Sequence, residues 1–159
     1  MIVFMGTPEF SVPSLEMLIK KGYNVGLVVT QPDKVVGRKK ELVQSLVKQV
    51  AVKNGIEVFQ PVKLKTDYQY IIDLKPDLII TASYGQILPK ELLNQVPAIN
   101  LHGSLLPKYR GGAPIQYSLF NGDEKTGITL MEMVFKMDAG DMIEHREVVI
   151  EKEYNYGTI

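Results

Sequence analysis

The chain has 159 residues, 45% hydrophobic and 23% charged, with eighteen basic and eighteen acidic residues in balance. That length suits one domain with a real core, and the neutral balance excludes a global cationic footprint for nucleic acid while leaving a local basic patch open. The absence of cysteine excludes a disulfide framework, a thiolate nucleophile and a cysteine-ligated metal, and it suits a cytoplasmic protein.

Residues 2–5 form a short apolar run that reads as a buried strand. Gly6 makes a turn, Thr7 is a candidate helix cap, and Pro8 fits a first helical position. Val12, Leu15, Leu18 and Ile19 then keep helical spacing until Gly22. Residues 24–30 read as a second strand, so the order strand–helix–strand implies a parallel sheet with a right-handed crossover. The first turn lacks GxGxxG, which gives no support to a dinucleotide cofactor.

Residues 31–40 (QPDKVVGRKK) read as a basic loop, and 41–54 as a helix through Leu42, Leu46, Val47, Val50 and Ala51. A short strand at 56–59, a helix at 66–74 and a central strand at 78–82 follow. Residues 83–89 (SYGQILP) form the next loop, a helix spans 90–94, and a strand spans 98–102. A helix at 114–120, a turn at Asn121-Gly122, and strands at 127–135 and 142–150 complete the pattern. The expected fold is α/β: a Rossmann-like, mostly parallel sheet with helices on both faces and antiparallel C-terminal strands. No apolar run nears the roughly 20 residues of a membrane span, and no signal peptide is visible.

In the strand at 98–102, side chains repeat every two residues, so Asn100 and His102 share a face beside Gly103. Ligands of open α/β sheets bind at strand ends. An amide, an imidazole and the carboxylate of Asp138 together suit attack of an external amine on a carbonyl carbon. The amide and imidazole would stabilise the oxyanion, and the carboxylate would help remove a proton. Spacing alone fits equally a polar pair satisfied inside the fold, an Asx-turn at Asp138, and a solvated loop at Lys34, Arg38, Lys39 and Lys40. His102, His145, Asp138 and Asp141 lack a metal-site spacing, so no metal is expected.

The string INLHGSLLPKYRGGAPIQ resembles the formyltransferases that use 10-formyltetrahydrofolate. MGTPEFSVPSL, VTQPDKVVGRKK, ASYGQILPKELL and GITLMEMVFKMDAGDMI are similar to the methionyl-tRNA formyltransferase family in particular, across essentially the whole chain. The resemblance implies transfer of a formyl group from 10-formyltetrahydrofolate to methionine on initiator tRNA. It implies catalytic roles for Asn100, His102 and Asp138. It also implies folate contacts from Gln86, Ile87, Leu88, Ser104, Leu105, Leu106 and Pro107, and tRNA contacts from Lys34, Arg38, Lys39 and Lys40. Residues 42–48 (LVQSLVK) depart from the proline-containing run common in the family. Residues 1–159 are then expected to be the N-terminal catalytic domain, truncated, with the C-terminal tRNA-binding domain of such proteins absent, cytoplasmic and monomeric. Two rivals stand beside this: the same transfer to a small amine (a glycinamide ribonucleotide or an amino sugar nucleotide), and a non-catalytic folate- or nucleotide-binding domain.

Overall fold

The computed structural model describes residues 1–134 and 140–159. The chain forms two compact units, residues 1–98 and 99–159.

The first unit opens with β1 (Ile2–Gly6), a short 3-10 turn (Glu9–Ser11), α1 (Val12–Lys20) and β2 (Val25–Val29). A hairpin of β3 (Lys34–Val36) and β4 (Glu41–Val43) leads to α2 (Leu46–Lys53) and β5 (Val58–Phe59). The short helices α3 (Leu64–Asp67) and α4 (Gln69–Asp73), then β6 (Leu78–Ala82) and α5 (Lys90–Gln95), complete it. β1 lies between β2 and β6, all parallel, with Phe4 aligned to both Val28 and Ile80; β5 joins in parallel outside β2. Val3, Phe4, Met5, Leu27, Val28, Val29 and Ile79 are fully buried. Strands covered on both faces need no polar alternation, which is why these runs are continuously apolar. Each such side chain contributes about 1.5–3 kcal/mol over an exposed one. Leu15 and Leu18, one helical turn apart, are the buried residues of α1.

The second unit holds β7 (Ala98–His102, whose first residue closes the first unit), α6 (Pro114–Phe120), β8 (Lys125–Glu132) and β9 (Met142–Val149). β7, β8 and β9 pair antiparallel, with Leu101 opposite Leu130 and Thr129 opposite His145. Parallel strands joined through helices, followed by antiparallel ones, give the Rossmann-like, mostly parallel α/β class expected from the sequence.

Three local expectations are corrected. The loop at 31–40 and the first residues of the helix at 41–54 are instead the β3–β4 hairpin, with Lys34 opposite Val43 and Val36 opposite Glu41. β-branched Val35, Val36 and Val43 favour the strand, Gly37 and Lys40 turn the chain at positive φ, and Ser45 caps α2 by accepting from the Lys48 amide at 3.0 Å. The helix expected at 66–74 is split at Tyr68 into α3 and α4. Thr7 caps no helix: its hydroxyl donates to the Tyr84 carbonyl at 2.8 Å, and the 3-10 turn starts after Pro8.

Gly6 ends β1 against backbone, because an added Cβ would meet Ser11 Cβ at 2.7 Å and the Ala82 carbonyl oxygen at 2.9 Å. Overpacking of this kind costs typically about 1–3 kcal/mol. Gly6→Ala is expected to lower stability by that amount, and a urea unfolding curve with an unchanged midpoint would refute it.

Candidate active site

In the first unit, the carboxyl ends of the four parallel strands are stitched together by side-chain amides and hydroxyls. Gln86 sits in the loop after β6. Its Nε2 donates to Gln31 Oε1 at 2.9 Å and to the Pro61 carbonyl at 3.0 Å, while its Oε1 accepts from the Leu64 amide at 2.8 Å. Gln31 follows β2 and Pro61 follows β5. The Gln31 amide in turn donates to Thr7 Oγ1 at 3.3 Å, after β1. Thr30 Oγ1 lies 2.7 Å from Ser45 Oγ, which brings the cap of α2 into the same network.

This placement divides the three expected folate residues of that loop. The Gln86 side chain is spent on the protein's own loops. Leu88 is buried, and Ile87 is 63% exposed. Among the described residues, the backbone of Gln86, Ile87 and Leu88 makes no backbone hydrogen bond. An exposed apolar side chain beside uncommitted peptide groups fits the edge and face of a flat, polar heterocycle. Tyr84, just before, is buried with no hydrogen-bond partner for its hydroxyl among the described residues, and burial pushes that phenol up to about 12.

The hairpin carries all four residues expected to meet tRNA. Lys34, Arg38, Lys39 and Lys40 are exposed, and so are Val35, Val36, Leu42 and Val43. Its base is anchored by Asp33, which accepts from Lys48 Nζ at 2.8 and 3.0 Å and from Gln60 Nε2 at 2.8 Å. Hydrogen bonds from the Lys48 ammonium, first, and the Gln60 amide hold the Asp33 carboxyl below its ordinary range.

In the second unit, Asn100 is half-buried and His102 is buried at the end of β7. His102 Nε2 lies 2.7 Å from the Tyr109 carbonyl oxygen. A carbonyl only accepts, so Nε2 carries a proton in this arrangement. Ser104, expected at the folate, is buried and donates to the Lys108 carbonyl at 2.5 Å, closing the loop on itself. Leu105 and Pro107 line a cavity of about 510 Å³ together with Tyr109, Ser118, Asp123 and Thr126. Asp138 lies outside the described residues. His145 is exposed on β9. Among the described residues, no group of three or more His, Cys, Asp or Glu is placed to hold a metal ion.

Sequence reasoning missed Thr129. It is fully buried opposite His102, donates to the Ser104 carbonyl at 2.7 Å and accepts from the Leu106 amide at 3.1 Å. A threonine in a strand carries no signal by itself; only the β7–β8 register brings it beneath the loop.

Parallel strands with carboxyl-end loops fixed by polar side chains define the first unit as an open α/β sheet of Rossmann-like class, and the second unit adds antiparallel strands, one of them ending in an amide and an imidazole. The chain belongs to the formyl transferase family, whose domain matches residues 1–159. It is 62% identical over 162 residues to a methionyl-tRNA formyltransferase of Ligilactobacillus salivarius, and 57% identical over 162 residues to that of Bacillus subtilis. Each match covers 99% of this chain and 51% of the relative, so the chain spans about half the length of these proteins. Among solved structures, it is similar to a phosphoribosylglycinamide formyltransferase from Bacillus halodurans (TM-score 0.73, 23% identity, 97% of this chain and 82% of that one). One from Anaplasma phagocytophilum gives a TM-score of 0.76 at 20% identity, covering 97% of this chain and 74% of that one. At these identities the likeness is one of fold.

Thr129→Val keeps the shape and removes both hydrogen bonds to the 104–106 loop. Stranding buried polar partners costs about 1–3 kcal/mol each. The expected result is a loss of stability of about 2–6 kcal/mol and faster hydrogen exchange at the Leu106 amide. Unchanged protection there would show that the loop is held by other means.

Proposed function

We propose that residues 1–159 act as the formyl-transfer domain of a methionyl-tRNA formyltransferase, moving the formyl group of 10-formyltetrahydrofolate to the amino group of methionine on initiator tRNA. The observation that carries this reading is the close identity, along nearly the whole chain, to relatives bearing that name. The reading includes a cytoplasmic, monomeric protein and a C-terminal tRNA-holding domain beyond these residues.

In this reading the folate derivative supplies an activated formyl group. The reading assigns folate contacts to Ile87, Leu88 and the peptide groups of residues 86–88 in the first unit, and to Leu105, Leu106 and Pro107 in the second. The Asn100 amide is the hydrogen-bond donor to the formyl oxygen as negative charge grows there. His102 holds and moves protons at the end of β7. Asp138 takes the proton of the attacking amine, directly or through water, or orients His102. Ser104 shapes the loop through its bond to the Lys108 carbonyl. The basic hairpin tip meets tRNA phosphates, and its charges raise the encounter rate in a salt-dependent way.

The test is formyl transfer from 10-formyltetrahydrofolate, with methionyl-tRNA compared against glycinamide ribonucleotide and an amino sugar nucleotide. Turnover of methionyl-tRNA is expected; turnover of a small amine alone would overturn the acceptor assignment. His102→Ala is expected to lower kcat by about 10²–10⁴-fold, the usual weight of a general acid–base group, with folate binding retained. Near-normal turnover by that variant would remove His102 from the chemistry. Arg38→Ala is expected to raise KM for methionyl-tRNA and flatten its salt dependence, with KM for the folate unchanged. An unaltered response to tRNA would leave the hairpin as solvated charge.

A further inference from the structure

The residue that meets His102 is held in an unusual way. Tyr109 has a φ of 55°. Left-handed backbone at a bulky residue costs about 1–3 kcal/mol and persists only where surrounding contacts enforce it. Here the contacts are on the side chain. Tyr109 Oη donates to Asp123 Oδ2 at 2.7 Å and accepts from Asn121 Nδ2 at 3.0 Å. Its ring stacks on Tyr117, with centroids 6.1 Å apart and planes 12° from parallel. Asp123 is fixed in turn: its amide donates to the Ser118 carbonyl at 3.1 Å, and Lys108 Nζ stands 3.9 Å from Oδ2. Asn121 closes α6, its amide donating to the Tyr117 carbonyl at 3.0 Å. Thus the turn after α6 grips the tip of the Tyr109 side chain, and the other end of the same residue presents its carbonyl to the imidazole.

We propose that Tyr109 and Asp123 are positioning residues for His102. The phenol–carboxylate bond holds residue 109 in its left-handed conformation, and so holds its carbonyl where it keeps a proton on His102 Nε2 and fixes the ring plane. In this assignment both side chains act through His102. The proton placement is geometric, because a backbone carbonyl cannot donate and has no charge state to vary with pH. A ring so held keeps one tautomer where a solvated imidazole exchanges between two. The catalytic consequence rests on the formyl-transfer reading above; the tautomer consequence does not.

The chain's only histidines are His102 and His145, so a ¹⁵N-labelled sample resolves the ring signals, with His145→Gln assigning them. The full chain is expected to show His102 as the Nε2–H tautomer, with its ring proton protected from exchange. Tyr109→Phe removes one hydroxyl and leaves the ring stack. It is expected to abolish that protection, and to lower kcat for formyl transfer by about 10- to 100-fold, the cost of a misplaced catalytic group, with both KM values within about twofold of wild type. Asp123→Ala is expected to match it. Asp123→Asn keeps an acceptor for the phenol and is expected to restore both the ring signal and kcat. Wild-type ring protection in Tyr109→Phe and Asp123→Ala would overturn the proposal, as would Asp123→Asn behaving like Asp123→Ala. Altered ring signals in a chain that transfers no formyl group would uphold the brace and refute the activity reading instead.

Discussion

Parallel strands that end side by side leave a row of loops with polar backbone and little to pack against. In the first unit that problem is solved mainly by Gln86. Both hydrogens of its side-chain amide are committed, to Gln31 and Pro61, and its oxygen takes the Leu64 amide. A half-buried amide with these bonds made holds its loops in place, whereas the same amide left unsatisfied would destabilise them. Gln86 faces its neighbours, and Ile87 is left outward, with peptide groups that make no backbone hydrogen bond among the described residues. The outward placement of Ile87 thus goes with the inward commitment of the Gln86 side chain.

The second unit reaches the same end with a hydroxyl. Thr129 can donate and accept at once, so one side chain satisfies the Ser104 carbonyl and the Leu106 amide together. Ser104 satisfies a third group, the Lys108 carbonyl, within the same loop. The Ser104 hydroxyl thus takes part in the scaffold of the loop that carries Leu105 and Pro107.

Continuous apolar runs at β1, β2 and β6 mark buried parallel strands in the sequence itself, and the two-residue repeat of a strand puts Asn100 and His102 on one face. The hairpin was hidden because Leu42, Leu46, Val47, Val50 and Ala51 satisfy a helical period, and the pairing of Val35 with Leu42 that competes with it spans a turn no periodicity describes. Ser45 was the available signal: an N-cap residue standing before the apolar run marks where the helix can begin. The Gln86, Thr129 and Tyr109 contacts were illegible for a different reason. Each joins residues far apart in the chain or depends on a strand register, and residue type alone does not reveal either.

The hairpin stands apart from the core in one further respect. Val35 and Leu42, directly opposite each other, are 61% and 67% exposed, and among the described residues β3 and β4 pair only with one another. A lone two-stranded ribbon is marginally stable in water. Its order depends on the anchor at Asp33, Lys48 and Ser45 more than on anything buried. Changes of length, charge or composition within residues 34–43 therefore leave the apolar core of β1, β2 and β6 untouched. Such a segment can be rewritten over evolutionary time at little cost to folding, so selectivity housed in the ribbon is free to diverge while the fold beneath it is conserved.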